Sequence, residues 1–234
     1  MFLFLKLCLA HMIGDFILQF DELYKLKVKR VLGHFLHVAI HYIVTMLLVF
    51  PYLQFTSMWF YVFFLCMLHY LQDRLKYRLQ QNQRIMFPCF VTDQFFHFLW
   101  ITGAFLLPAS RLRLGVPEYP LLDTLYSHDA VTLILLLFIG VTFGYSYLAF
   151  TFRRSFIPSS RPDHGISSFE MSHGLVERGL VAGVFVFATN PLWMIAAPMV
   201  GLLRLTSPKL RDKSDFLSSF SVAALMGLLF RLWI

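Results

Sequence analysis

The sequence predicts an all-α, polytopic transmembrane helix bundle of about seven to eight membrane segments. Three observations carry that prediction. Hydrophobic residues fill 58% of 234 positions and charged residues only 14%, at a mean hydropathy of +0.67, far from the near-even apolar share and roughly one-quarter charged share of soluble domains. The apolar residues gather in runs of roughly 20, the length a hydrocarbon core about 30 Å thick asks of a helix. Basic residues cluster between alternate runs, the bias that marks cytoplasmic loops. A cytosolic enzyme and a disordered chain are excluded by this composition. Cys8, Cys66 and Cys89 lie far apart in or beside apolar stretches, with neither a C-x-x-C pair nor disulfide spacing.

The first run, about 2 to 20, is interrupted by His11, Asp15 and Gln19 and is followed by no small-x-small cleavage site, so it reads as a retained first helix and not as a signal peptide. Helices follow at about 32 to 52, 57 to 73, 88 to 107 and 131 to 151. A long stretch from about 171 to 205 contains Asn190-Pro191. Proline lacks an amide donor and pushes the residue before it out of the helical region, so two helices joined by a tight turn are expected there. A last run covers 215 to 233. The chain therefore divides into a polar-site half at 1–107, an outer connection at 108–130 and a second helical half at 131–234, all within one membrane domain.

Eight helices with the N-terminus outside place four basic clusters on the inner face, around residues 25 to 30, 74 to 84, 153 to 161 and 204 to 213, or 15 of the 20 Lys and Arg. Pro158 to His164 reads as one of those inner loops. Outer ends carry Trp59, Trp193 and Trp233 as belt residues, and the outer connection holds Glu118, Asp123 and Asp129. The net charge of +7 thus reports orientation, and nucleic acid is not an expected partner.

Ionisable groups inside apolar helices cost at least a few kcal/mol and usually face a partner or a cavity. Helix one carries His11, Asp15 and Gln19 at i, i+4 and i+8, a single stripe. Helix two carries His34, His37 and His41, with His34 at the helix entrance. Helix three ends in His69 and Asp73, helix four opens with Asp93, Gln94 and His97, and the sixth carries Glu170, His173 and Glu177, with Arg178 beside them. All fall at comparable depth in the inner half of the membrane. Any one such residue is more often a structural hydrogen-bonding group. As a set they fit one shared site.

Imidazole with carboxylate is the usual ligand set for zinc, manganese or iron, and i, i+4 placement lets two side chains of one helix reach one ion. The expected metal ligands are His11, Asp15, His37, His41, His69, Asp73, Asp93 and His97, with Gln19 and Gln94 orienting them. Glu177 is the candidate proton acceptor, and Arg178 the candidate phosphate-binding group.

The ordered set His11-x-x-x-Asp15-Phe-x-Leu-Gln19, His37 to His41, His69-x-x-x-Asp73 and Asp93-Gln94-x-x-His97 resembles the bacterial membrane-protein family catalogued as domain of unknown function 3307. Gly174-Leu-Val-Glu177-Arg178 resembles a glycine and Glu-Arg segment of the same family, while about 108 to 165 matches little. Thr206-Ser207-Pro208-Lys209 departs from it. The resemblance implies a multi-pass protein of the bacterial inner membrane and supplies no activity. A looser similarity links the pattern to membrane-bound metal-dependent hydrolases.

The leading function is therefore a membrane-embedded, metal-dependent enzyme, hydrolytic in type, acting on a lipid-linked or amphiphilic substrate at the inner face with a metal-activated water. A proton or ion relay, haem held by His41 and His97, and a non-catalytic assembly subunit stay open beside it. Membrane lipid is the expected partner, with a protein partner or a homo-oligomer also open. No Gly-rich phosphate loop, G-x-S-x-G elbow or H-E-x-x-H helix occurs.

Overall fold

The computed structural model describes residues 1–80, 83–157, 168–200 and 213–232, and no strand occurs among them. Helix α1 (Phe2–Met12) passes directly into one π-helical turn, Ile13–Ile17. Four helices follow: α2 (Asp21–Lys29), α3 (Val31–Leu48), α4 (Thr56–Leu79) and α5 (Met86–Thr102). The second half contains α6 (Pro120–Ser127), α7 (Asp129–Ile139), a second π-helical turn at Gly140–Gly144 and α8 (Tyr145–Phe156). It ends with α9 (Ser168–Phe187), α10 (Pro191–Ala196) and α11 (Lys213–Arg231).

Helix α1 is apolar apart from Lys6 and His11, and a helix that is apolar nearly all round belongs in a core. Every one of its residues except Phe4 is buried. It packs against α3, α5 and α7, while α4 joins α3 to α5 and α8 lies on α5. In the second half α9 packs against both α11 and the π-turn at 140–144. The α9–α11 contact is close because Gly227 offers no side chain: a Cβ there would meet Phe185 Cβ at 2.7 Å.

The surrounding helices have the reverse of a water-soluble pattern. Helix α3 buries Gly33, His34, His37, His41 and Thr45 and exposes Leu36, Ile43 and Leu47. Helix α4 buries His69 and Asp73 and exposes Phe60, Phe63 and Leu71. Polar groups inside with large apolar groups outside is the arrangement lipid favours.

Val31–Leu48, Met86–Leu106 and Asp129–Phe156 are long and apolar enough to cross a membrane. Phe2–Ile17 with Glu22–Lys29, bent by 87°, makes a fourth candidate. Length and composition thus support three or four spans among the described residues, against the seven to eight expected. The site itself explains much of the shortfall. Helix α4 has 24 residues, but His69, Gln72 and Asp73 lower its hydropathy, and the π-turn ends the first segment at Ile17.

The expected break at Asn190-Pro191 is present. Asn190 caps α10 by accepting from the Leu192 amide at 2.9 Å, and Pro191 occupies the first turn, where its missing donor costs nothing. Two differences in helix boundary bear on the site. The first helix stops before Leu18, so Gln19 leaves the stripe of His11 and Asp15. Helix α4 continues to Leu79, because Lys76 extends its inward face past Asp73.

The connection at 108–130 is largely structured. It closes the Phe2 end of the bundle through Tyr52 Oη to the Leu112 carbonyl (2.9 Å) and Tyr126 Oη to the Leu48 carbonyl (2.8 Å). Buried Lys6 donates there to the Tyr126 carbonyl (2.6 Å) and Thr132 Oγ1 (2.7 Å). Pro158 to His164, Arg204, Thr206 to Lys209, Arg211, Trp233 and the side chain of Glu170 lie outside the described residues.

Candidate metal centre

The centre is built where α1 gives way to its π-turn. Leu18 N–H donates to the Ile13 carbonyl at 2.9 Å, a bond that spans five residues and widens the turn carrying Asp15. Such turns recur at functional sites because they re-aim a side chain without ending the helix. Gly14 supplies the space: a Cβ there would come within 2.5–2.7 Å of the His41 ring atoms. His41 therefore sits directly against the α1 backbone.

Asp15 is the hub. Its Oδ1 lies 3.1 Å from His37 Nε2, 3.0 Å from His41 Nε2 and 3.6 Å from His69 Nε2. Its Oδ2 lies 3.6 Å from His11 Nε2 and accepts from Gln94 Nε2 at 3.2 Å. His97 completes a group of five imidazoles from four helices, its ring centroid 4.4 Å from His69 and 4.7 Å from His11. All five rings and Asp15 are buried.

Three overlapping groups have ligand atoms within 4.8 Å of one another: His11, Asp15, His41 and His69; His37, His69 and Asp73; and Asp15, Asp93 and His97. The first group has the best spacing for an ion. Four ligands at about 2.0–2.1 Å around a tetrahedral zinc stand about 3.3 Å apart. The Asp15 to histidine separations of 3.0–3.6 Å bracket that edge. Buried histidines and carboxylate at these distances can hold a metal ion.

Asp73 and Asp93 differ from Asp15 in having lysine partners. Lys27 Nζ lies 2.6 Å from Asp73 Oδ2, and Lys76 Nζ donates to Asp93 Oδ2, also at 2.6 Å. Three carboxylates against two ammonium groups leave one negative charge, and it resides at Asp15. A buried carboxylate without a fixed cation is costly, so this is where an additional positive charge stabilises most.

The glutamines orient as expected, but in different places. Gln94 Nε2 donates to Asp15 Oδ2 and to Asp93 Oδ2 (3.3 Å), and Gln94 Oε1 lies 3.3 Å from His11 Nε2. Gln19 instead accepts from Lys27 Nζ at 2.7 Å and touches the centre only through that lysine. His97 Nδ1 donates to the Asp93 carbonyl at 2.8 Å, which fixes its tautomer and leaves Nε2 with a lone pair. His34 lies outside the hub, edge-on to Tyr70 and Tyr77.

A cavity of about 40 Å³ adjoins the imidazoles of His11, His41, His69 and His97, with Leu7, Thr45, Leu65, Cys66, Trp100 and Ile101 as its remaining walls. One water needs about 10–15 Å³ on this scale, so two or three fit.

Arg178 and Glu177 are not among the groups that gather around Asp15. Arg178 Nε donates to the Val141 carbonyl (2.6 Å), and Nη2 donates to the Thr142 carbonyl (2.8 Å) and to Ser146 Oγ. Nη1 reaches Ser219 Oγ at 3.4 Å. The guanidinium satisfies carbonyls released by the second π-turn, a structural use that takes up its fork. Glu177 is buried next to it on α9 and joins none of the His and carboxylate groups that gather among the described residues.

Three contributors are absent from the sequence reading: Gly14, Lys27 and Lys76. The lysines count there only as loop charges. The signal available was H-x-x-G-D at 11 to 15, where a glycine next to a buried aspartate marks a close approach.

The chain matches no curated protein and no solved structure. Its family match stops at residue 111, short of Gly174 to Arg178, yet it contains every residue of the hub. Residues 3–111 match the model of the family described as protein of unknown function (DUF3307).

Proposed function

We propose that this protein is an integral membrane metalloenzyme with one divalent ion, zinc, manganese or iron, bound by His11, Asp15, His41 and His69. The carrying observation is the Asp15 carboxylate, buried without a lysine partner and surrounded by four imidazole nitrogens at 3.0–3.6 Å. Lone pairs that crowd one carboxylate are better satisfied by a shared cation than by one another. His37 is a further ligand or orients Asp15, and His97 stands over the cavity beside the ion.

Hydrolysis is the chemistry this arrangement supports best. The ion lowers the pKa of a bound water, and the cavity has room for that water and one or two more. The substrate we assign is lipid-linked or amphiphilic, because the helices around the centre expose Leu, Ile and Phe to what we read as lipid. We place the centre near the cytoplasmic face of a bacterial inner membrane with the N-terminus outside, following the basic residues at 25 to 30 and 74 to 84. Single cysteines at positions 78 and 120 are expected to label from opposite sides of sealed vesicles; labelling from one side contradicts the orientation.

Metal analysis of protein purified without chelator tests the proposal. About one divalent ion per chain is expected, with a fall in Tm on chelation, because an ion bound only to the folded state stabilises by mass action. Less than about a tenth of an ion, with Tm unchanged by chelator, overturns it. The row of imidazoles, with His37–His41 at 4.6 Å, His41–His69 at 4.0 Å and His69–His97 at 4.4 Å, would then favour a proton relay. Against that relay, the walls of the cavity other than the histidines are mostly apolar, with Leu7, Leu65, Cys66 and Ile101 among them.

A further inference from the structure

We propose that Lys27 is a built-in cation filling a second metal position, formed by His37, His69 and Asp73, and that it thereby limits the centre to one divalent ion. This rests on the metal reading of the Asp15 hub and extends it to stoichiometry. His37, His69 and Asp73 are all buried and bring ligand atoms within 4.8 Å of one another. His69 is shared with the first group; because its Nε2 has one lone pair, it would reach a second ion through Nδ1, which has no hydrogen-bond partner, so the two positions adjoin as in dinuclear centres built inside helical bundles.

What stands against Asp73 is an ammonium group. Lys27 Nζ lies 2.6 Å from Asp73 Oδ2, and its side chain is only 1% exposed. The groups around that carboxylate fit a metal better than a lysine. His37 Nε2 and His69 Nε2 lie 3.6 and 3.9 Å from the same oxygen. His37 Nδ1 and both ring nitrogens of His69 have no hydrogen-bond partner. An ammonium neutralises Asp73 but cannot draw both imidazoles into one coordination sphere.

The fold holds this lysine in place. Helix α2 turns 87° away from the first segment and presses its backbone on α3 at Gly33, where a Cβ would come within 2.3 Å of the Lys27 amide nitrogen. Gln19 accepts from the ammonium at 2.7 Å, and the Tyr77 ring centroid lies 5.6 Å from it. A second dication entering beside Lys27 would bring the charge of the centre to +3: two dications and two lysines against three carboxylates. A buried site resists that.

The test is Lys27→Met, which keeps an unbranched side chain of similar length and removes the charge. Wild-type protein and both Lys27→Met and Lys27→Arg are equilibrated with Mn²⁺ and assayed for metal per chain and by electron paramagnetic resonance. One ion with an isolated-ion spectrum is expected for wild type and Lys27→Arg, and two exchange-coupled ions for Lys27→Met. One ion in well-folded Lys27→Met overturns the proposal. If that variant does not fold, the wild-type spectrum still decides, since a coupled pair shows that the lysine does not exclude a second ion. Absence of any ion from wild type overturns the metal reading itself, a result distinct from the failure of the stoichiometry.

Discussion

Asp15→Asn is expected to weaken divalent-metal affinity about a hundredfold or more, the largest effect of any single substitution in the hub. Asparagine keeps the shape but removes the one carboxylate charge that no lysine balances. It also replaces an acceptor oxygen with an NH₂ group facing His37, His41, His69 or His11. The Gln94→Ala variant should lose about tenfold, typical of a group that orients ligands. From sequence alone, Asp93 ranks equal to Asp15, but its contact with Lys76 separates them. Asp93→Asn should leave affinity within about tenfold and act mainly on stability, because it strands a largely buried ammonium. Competition with a chromophoric chelator in detergent measures all three. Equal losses from Asp15→Asn and Asp93→Asn would mean that the lysines do not sort the carboxylates.

Gly14→Ala should produce the second large effect without touching a ligand. Its methyl group would arrive 2.5–2.7 Å from Cε1, Nε2 and Nδ1 of His41, well inside van der Waals contact, so the ring must move by about an ångström. That movement breaks the 3.0 Å approach of His41 to Asp15. Metal affinity is expected to fall at least tenfold, which is about 1.4 kcal/mol, with a further overpacking cost of about 1–3 kcal/mol in stability. Gly140→Ala is the control. A Cβ there meets only Met12 Cε, at 3.9 Å, and binding should be unchanged. Comparable affinities for the two alanine variants would contradict the close approach of His41 to α1.

The polar site was legible in the sequence because lipid makes ionisable residues conspicuous. The i, i+4 pairs His11–Asp15, His69–Asp73 and Asp93–His97 each lie on one buried face, as their spacing requires. The Asn190-Pro191 break was legible for a different reason: proline removes a donor whatever surrounds it.

What escaped the sequence is what depends on chain reversal. Lys27 is placed by the turn at residues 18 to 20 and by the fit of α2 against Gly33, neither of which periodicity reports. Gln19 was assigned by extending α1 one turn too far, past a π-turn that no composition rule predicts. Arg178 shows the same limit from the other side. Beside Glu177 in an apolar helix it looks functional, but the carbonyls it satisfies belong to a turn 36 and 37 residues earlier. Length and composition identify three or four spans among the described residues, because apolar composition in a sequence does not separate a crossing helix from a short one such as α10.

The most direct measurement of the metal centre is anomalous scattering from crystals of protein grown with zinc or manganese, with data collected at the metal edge. The account predicts one peak, within about 2.0–2.3 Å of an Asp15 carboxylate oxygen and of the Nε2 atoms of His11, His41 and His69, and none against Asp73, where Lys27 stands. A peak elsewhere would contradict it, as would an ion-free hub in which the histidines hydrogen-bond Asp15 directly.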